Sequence, residues 1–266
     1  MHTSTYRRAR GVTLLELLVV LMILSIVLTA AVKTWDVTLE RGRAQTTASK
    51  LTQLVKVIVG DPDYIVAGQR SDFGFVGDMG RVPNDLSELV VAPSGSTTWR
   101  GPYIRSTFNQ SVDGYRIDGW GEPIDYGRRY GNESLWVRSY GGRGVADRSR
   151  WQTLNFPYSD TSLRQNQVRG KMVDMRNNTP SVDQKLHMTV TLYRPDDGKL
   201  VPDPRNGADT FHFWGVPQGT HRLEATYTYF PPGGPVTDTT IQFVPVYPGG
   251  GARQVRMRLP VDWSVQ

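Results

Sequence analysis

The longest feature of the hydrophobic pattern is an apolar run near the N-terminus. Residues 12–32 read VTLLELLVVLMILSIVLTAAV and contain a single charged side chain, that of Glu16. A helix of this length spans roughly 30 Å, which matches the thickness of a bilayer core. The pattern therefore predicts a membrane-spanning helix over this run.

The same helix is predicted to continue beyond the membrane. Apolar residues recur at spacings of three and four, which places them on one helical face. These positions are Ala44, Ala48, Leu51, Val55 and Ile58. Gly60 is followed by an Asp-Pro pair that ends the helix. We therefore expect one long helix over 12–60, with an apolar stripe that receives a small sheet.

The rest of the chain has the pattern of a water-soluble, turn-rich β protein, with 27 Gly and 17 Pro in the sequence. Residues 151–182 are polar with few apolar anchors, which predicts a linker or irregular arm. Residues 183–266 predict a small antiparallel sandwich. Its predicted strands are 186–193, 210–214, 221–230, 241–246 and 254–259. The expected fold class is α+β: a long helix packed on a small antiparallel sheet, followed by a second, all-β sandwich domain.

Charge supports a membrane orientation rather than nucleic-acid binding. The net charge is +6, but residues 1–60 carry eight Lys and Arg against three Asp and Glu, while the remainder is nearly neutral. A nucleic-acid-binding domain would concentrate basic charge on its folded part. Arg7, Arg8 and Arg10 precede the apolar run, so the positive-inside rule places the N-terminus in the cytoplasm. The absence of Cys excludes disulfides, Cys-ligated zinc and thiol catalysis.

Two simpler interpretations of the apolar run fit the sequence less well. A cleaved secretory signal would have an apolar region of about 7–15 residues before an A-x-A-like site, and Thr29-Ala30-Ala31 is a poor match. A plain membrane anchor explains the length but not Glu16, since an acidic group near a helix centre costs roughly 2.5–3.5 kcal/mol. A cut after Gly11 would provide a partner, because it exposes the α-amino group of Val12 one helical turn from Glu16.

Residues 8–18 (RARGVTLLELL) strongly resemble the processing site of type IV prepilins and type II secretion pseudopilins. The resemblance implies that residues 1–11 are a leader, that prepilin peptidase cuts after Gly11, and that Val12 becomes a methylated N-terminus. Glu16 matches the fifth mature residue of the family, which implies a role in assembly. Val12 departs from the usual Phe, which implies an effect on processing efficiency.

A second resemblance, to the major pseudopilins, covers residues 61–150. It is carried by GDMGRVP at 77–83, GPYI at 101–104, DGWGEPIDY at 118–126 and VRSYG at 137–141. It implies a pilin-like globular β domain in which the Trp residues are packing anchors.

Major pseudopilins hold a calcium ion in the loop that follows the last of these motifs. In residues 141–148 the loop has one carboxylate, Asp147, and two Arg. Because calcium takes about six to eight oxygen ligands, we expect the ion to be lost, with Asp147 as the candidate ligand otherwise.

The C-terminal region carries a third resemblance. Residues 210–223 (TFHFWGVPQGTHRL) resemble the carboxypeptidase regulatory-like, or transthyretin-like, sandwich. This implies a fold and no catalytic activity. The sequence contains no HExxH, G-x-S-x-G or phosphate-binding Gly-rich motif, so no enzyme is predicted. His212 alternates with Phe211 and Phe213 and is expected to point away from their face.

Two classes of function remain. The first is a subunit, minor or specialised, of a type IV pilus-like or type II secretion pseudopilus filament. Its expected partners are prepilin peptidase, other pilin or pseudopilin subunits and the inner-membrane assembly machinery. The chain would span the inner membrane once, with its body periplasmic or extracellular. The second class is a binding module, an adhesin or a secreted-substrate receptor, displayed on such a helix.

Overall fold

A computed structural model describes residues 13–104, 113–128 and 134–263. Its first element is the helix α1, Leu14–Val59, of 46 residues, which is about 69 Å long. Thr13 caps the helix by accepting a hydrogen bond from the Glu16 backbone N–H at 3.3 Å. Gly60 ends it in a positive-φ conformation (φ 88°). The long helix predicted from the apolar pattern is therefore confirmed.

The pilin-like domain follows the helix. Strands β1 (Ile65–Val66) and β2 (Gln69–Arg70) form a short hairpin before helix α2 (Gly74–Met79). A three-stranded antiparallel sheet has the order β3-β4-β5. Its strands are β3 (Asp125–Arg128), β4 (Leu135–Ser139) and β5 (Gln152–Asn155), and helix α3 is Asp160–Arg164. Single 3-10 turns occur at Leu86–Leu89, Gly114–Arg116 and Arg148–Arg150.

The first core lies between α1, α2 and this small sheet. Leu51, Val55 and Ile58 of α1 are buried in it, as the stripe predicted. Ala48 is exposed instead, and the adjacent Thr47 is fully buried. The core extends to Leu163, so the pilin-like domain is longer than the predicted 61–150.

The second domain is a sandwich of a four-stranded and a three-stranded sheet, ordered β11-β10-β7-β8 and β12-β6-β9. Strands β6 and β12 run parallel, and the other pairs are antiparallel. The elements are β6 (Asn166–Val173), α4 (Val182–Leu186), β7 (Met188–Asp196), β8 (Lys199–Asn206), β9 (Thr210–Val216), β10 (Gly219–Tyr229), β11 (Val236–Val246) and β12 (Ala252–Arg258).

The predicted arm over 151–182 is wrong, and so is the sandwich boundary at 183. The segment contains β5 and also β6, which is the central strand of the three-stranded sheet. Val168 and Met172 point from β6 into the second core, but polar residues between them hide the alternation. Strand β8 was also missed, because Pro202 and Pro204 suggest a loop; as an edge strand it tolerates them.

Hydrogen bonds join the two cores near the C-terminal end of α1. The buried side chain of Gln218 donates from Nε2 to the carbonyl oxygens of Val59 at 2.7 Å and Phe73 at 2.9 Å. The Gly198 N–H donates to the carbonyl of Met79 at 2.9 Å. These bonds join the turns of the sandwich to the backbone of α1 and α2, so the sandwich is docked on the helix rather than tethered by a linker.

Candidate functional site

The N-terminal half of α1 presents apolar side chains that the described part of the chain does not cover. Leu14 is 85% exposed and Leu24 is 57% exposed. Within the described residues, α1 is the one helix long and apolar enough to cross a membrane. Such a surface is stable only in lipid or against other apolar helices.

The hydroxyl groups of this helix are satisfied internally. Ser25 Oγ donates to the carbonyl of Met22 at 2.7 Å, and the hydroxyls of Thr29, Thr34 and Thr38 each donate to the carbonyl four residues earlier. A hydroxyl bonded to its own helix needs no water or neighbouring side chain. These polar residues are therefore compatible with a lipid environment.

Glu16 lies in the first turn of α1, on an exposed surface. The nearest basic residue within the described helix is Lys33, about 25 Å along the axis, so no described cation of this chain can neutralise Glu16. Gly11 and Val12, the predicted cleavage and methylation residues, lie outside the described residues. The geometry therefore leaves a carboxylate at the start of an apolar helix, available to a group outside the described chain.

Beyond the membrane segment, Glu40 connects α1 to the globular domain. Its carboxylate accepts a hydrogen bond from Trp120 Nε1 at 2.7 Å and pairs with Arg150 at 2.5 Å. The hydrogen bond from Trp120, with help from Arg150, lowers the pKa of Glu40. Trp120 therefore joins its turn to α1 through this hydrogen bond, whereas Trp99 packs against the first core, as expected for the Trp residues of this domain.

The DGWGEP turn is shaped by the buried Asp118. Its carboxylate accepts hydrogen bonds at 2.9 Å from two backbone N–H groups of its own turn and at 2.6 Å from Ser139 Oγ. A Cβ at Gly119 would lie 2.3 Å from the Arg43 carbonyl oxygen. The turn therefore packs closely on α1. This steric contact alone is sufficient to explain why residue 119 is Gly.

Asp147 is the candidate calcium ligand in the loop over 141–148. Its carboxylate accepts hydrogen bonds from the Ser149 N–H at 3.1 Å and Ser149 Oγ at 2.5 Å. These bonds, with Arg143 and Arg150 nearby, lower its pKa. In the described chain no group of three or more His, Cys, Asp or Glu could hold a metal ion. One carboxylate beside two guanidinium groups does not fit calcium, which needs several oxygen ligands and negative charge.

The tertiary structure also brings together groups that the sequence did not connect. Gln218 reaches the end of α1 from a turn 159 residues later. Arg169 and Lys171 of β6 line one groove with Arg253 and Arg256 of β12. Neither arrangement has a local sequence signal, because each depends on strand pairing between distant segments.

Comparison with known proteins bears on the N-terminal region. The family described as "Prokaryotic N-terminal methylation motif" matches residues 6–32. That range includes Gly11, Val12 and Glu16. In this N-terminal segment the chain is type IV pilin-like.

The pilin-like protein also resembles the type II secretion system core protein G of Xanthomonas campestris pv. campestris. The two are 29% identical over 120 residues, which cover 43% of this chain and 73% of the relative. No solved structure matches the chain significantly. Together the motif and this relative support a pilin-like filament subunit with a single membrane-anchoring helix.

Proposed function

We propose that the pilin-like protein is a minor or specialised subunit of a type II secretion pseudopilus or a related type IV pilus-like filament. The supporting observation is the coincidence of the methylation motif over 6–32 with an uncovered apolar helix that carries Glu16 in its first turn. The relative is a core protein of a type II secretion system, which favours the secretion filament. The proposed role is structural and not enzymatic.

The proposed topology has the basic leader in the cytoplasm and the body in the periplasm or outside the cell. Arg7, Arg8 and Arg10 flank the apolar run on its N-terminal side, which satisfies the positive-inside rule. Prepilin peptidase and inner-membrane assembly machinery are the proposed partners on that membrane.

The proposed role of Glu16 is to set the register between subunits. In lipid, an unpaired carboxylate is costly. In a filament, the Val12 amino group of a neighbour at about 4 Å would contribute roughly 4 kcal/mol at an effective dielectric constant of about 20, before desolvation is subtracted. This gain exists only when two helices have the correct stagger, so the pair selects one arrangement.

The cleavage proposal is tested at Gly11. We expect Gly11→Lys to leave the full-length precursor in the membrane, because a small residue keeps the backbone accessible to the peptidase. Mass spectrometry of the mature wild-type protein should find a methylated Val12 at the N-terminus. An intact Met1, or an N-terminus near Val32, contradicts the proposed processing.

The assembly proposal is tested by Glu16→Ala. The variant should be inserted and processed, since the substitution removes a polar group from the membrane segment, yet it should enter filaments poorly. The measurement compares mature protein in membranes with protein in sheared or cross-linked filaments. Ser25→Ala is the matched control, because Ser25 is exposed on the same helix and is bonded to its own backbone. Normal incorporation of Glu16→Ala would remove Glu16 from the mechanism.

The minor or specialised role is supported by the docked sandwich. Each subunit carries a second core, and Gln218 fixes it to the end of α1. Tight repetition along a filament favours compact subunits. A subunit with this extra domain is therefore better accommodated at the filament tip or at infrequent positions along the filament. The alternative, a binding module displayed on a pilin-like helix, is favoured by the same domain. Counting subunits in purified filaments by quantitative mass spectrometry distinguishes a major from a minor component.

A further inference from the structure

One face of the sandwich carries a concentration of positive charge. Four basic side chains line an open groove of about 600 Å³ on the three-stranded sheet. They are Arg169, Lys171, Arg253 and Arg256. No carboxylate lines this groove, and the nearby Asp209 is already paired with Lys185 at 3.0 Å. In the described chain these four cations have no acidic partner, so the groove has an uncompensated positive potential.

A β-bulge places the two Arg of β12 on the same side of the sheet. Residues three apart in a regular strand point to opposite faces. Here Ala252 pairs with Val168 and Val255 with Gly170, so β12 has one extra residue. Through this shift Arg253 and Gln254 together lie opposite Arg169, and Arg256 pairs with Lys171.

The bulge contains an unusual backbone conformation. Gln254 adopts a positive φ of 60°, which is uncommon for a residue other than glycine. Gly170 pairs with the next residue, Val255, and a Cβ at Gly170 would lie 2.1 Å from the Val255 carbonyl oxygen. Bulges often re-aim side chains beside functional sites. The local strain thus coincides with the clustering of like charges, and both need an explanation beyond packing.

An aromatic pair continues the same face. Strand β9 places His212 beside Arg169, and the His212 and Trp214 rings contact each other with centroids 3.9 Å apart and planes tilted by 39°. His212 Nε2 also lies 3.3 Å from Gln167 Oε1. Trp214 is 58% exposed although it is a large apolar side chain. The face therefore combines several Arg with a positioned, solvent-accessible Trp.

We propose that this face, formed by the basic groove and Trp214, is a protein-binding surface for a partner with a carboxylate-rich, partly apolar segment. Arg and Trp are the residues most enriched at the energetic centres of protein interfaces, and Arg binds carboxylates in a bidentate manner. Nucleic-acid surfaces instead offer successive stacking rings, whereas the two rings on this face pack against each other at an angle of 39°.

The position of the sandwich argues against the anchoring membrane as the ligand. Gln218 holds the sandwich at Val59, about 40 Å of helix beyond residue 32. Charges of lipid headgroups are screened within about 8 Å at physiological salt. The inference concerns the sandwich alone and does not depend on assembly into filaments.

The test measures binding of labelled probes to the full-length protein in detergent by fluorescence anisotropy at low ionic strength. Two peptides of equal length and charge, one alternating Glu with Leu and the other Glu with Gly, are compared with an oligothymidylate. We expect the Glu–Leu peptide to bind most tightly. Arg169→Glu combined with Arg256→Glu should weaken it by about tenfold or more, and Trp214→Ala should abolish its advantage over the Glu–Gly peptide.

Lys199→Glu is the matched control, because Lys199 is an exposed basic residue on β8, in the opposite sheet. An equal loss in this control would reduce the effect to net charge and overturn the proposal. Tighter binding of the oligothymidylate would assign a nucleic-acid surface instead. Should the double reversal lower the melting temperature, Arg169→Gln with Arg256→Gln replaces it. Glu16→Ala must bind the peptides like wild type, which separates this proposal from the filament role.

A second arm identifies the natural partner. A photo-crosslinking amino acid replaces Trp214 in cells that produce the full chain. We expect adducts with a protein whose cross-linked segment is acidic, lost on charge reversal of Arg169 and Arg256 and retained in Lys199→Glu. Adducts that persist after charge reversal of Arg169 and Arg256 contradict the proposal. The absence of an adduct with any protein also contradicts it.

Discussion

Removing the side chain of Gln218 should uncouple the sandwich from the helix. In Gln218→Ala two hydrogen bonds are lost, those from Nε2 to the carbonyls of Val59 and Phe73. The residue has no exposed surface, so water cannot replace the amide without a rearrangement. The perturbation therefore acts where the two cores meet and leaves the interior of each core intact.

The expected loss of stability depends on the hydrogen bonds that each carbonyl oxygen retains in Gln218→Ala. The Val59 oxygen still accepts from Arg70 at 2.8 Å, and the Phe73 oxygen still accepts from the Gly77 N–H at 3.1 Å. Neither is left wholly unpaired, so the loss is about 1 kcal/mol for each missing bond. A small cavity adds to this, and we expect a total of about 2–3 kcal/mol.

The assay is chemical unfolding of the full chain in mild detergent, followed by tryptophan fluorescence. Gln218→Met preserves most of the volume and should lose only the hydrogen-bond part, about 2 kcal/mol. Gln242→Ala, an exposed position on the adjacent β11, should change the free energy of unfolding by less than about 0.5 kcal/mol. A Gln218→Ala protein as stable as this control would refute the idea that the amide joins the cores.

Two further predictions concern the sandwich. A fragment of residues 157–263 should unfold cooperatively, whereas 183–263 should not, because it lacks the central strand β6; circular dichroism during heating checks both. Burial lowers the pKa of His221 to about 4, and its Nε2 lies 2.7 Å from the Pro217 carbonyl oxygen. Neutral His221 should contribute its full stabilisation above pH about 6.5, and the free energy of unfolding should fall by up to about 3 kcal/mol as the pH drops toward 4. This loss should be larger in the wild type than in His221→Gln.

These two predictions have clear contrary results. A cooperative melt of 183–263 would show that the remaining strands form a core without β6. For the histidine, His187→Gln is the control, because His187 lies outside the second core. If His221→Gln loses as much stability between pH 7 and 4.5 as this control does, then other groups account for the acid sensitivity.

The sequence by itself determined the long helix and its chemistry. A run of 21 apolar or small residues with one carboxylate has few physical solutions, because an unpaired charge in lipid is costly and the helical period is regular. Glu16, the end of the helix at Gly60 and the DGWGEP turn could all be read locally. The local conformation of each depends on neighbours within a few residues along the chain, although Gly119 is required by its contact with Arg43 of α1.

Tertiary structure decided how the β segments combine. Strand β6 carries polar residues on its outer face and a Gly in the middle, so its periodicity is weak, and only pairing with β9 and β12 makes it central. The same pairing gathers Arg169 and Arg256 into one groove, and a bulge whose register no local pattern specifies brings in Arg253. Gln218 meets Val59 across 159 residues. Contacts at such separation are set by the packing of whole sheets, which leaves no periodic trace in the sequence.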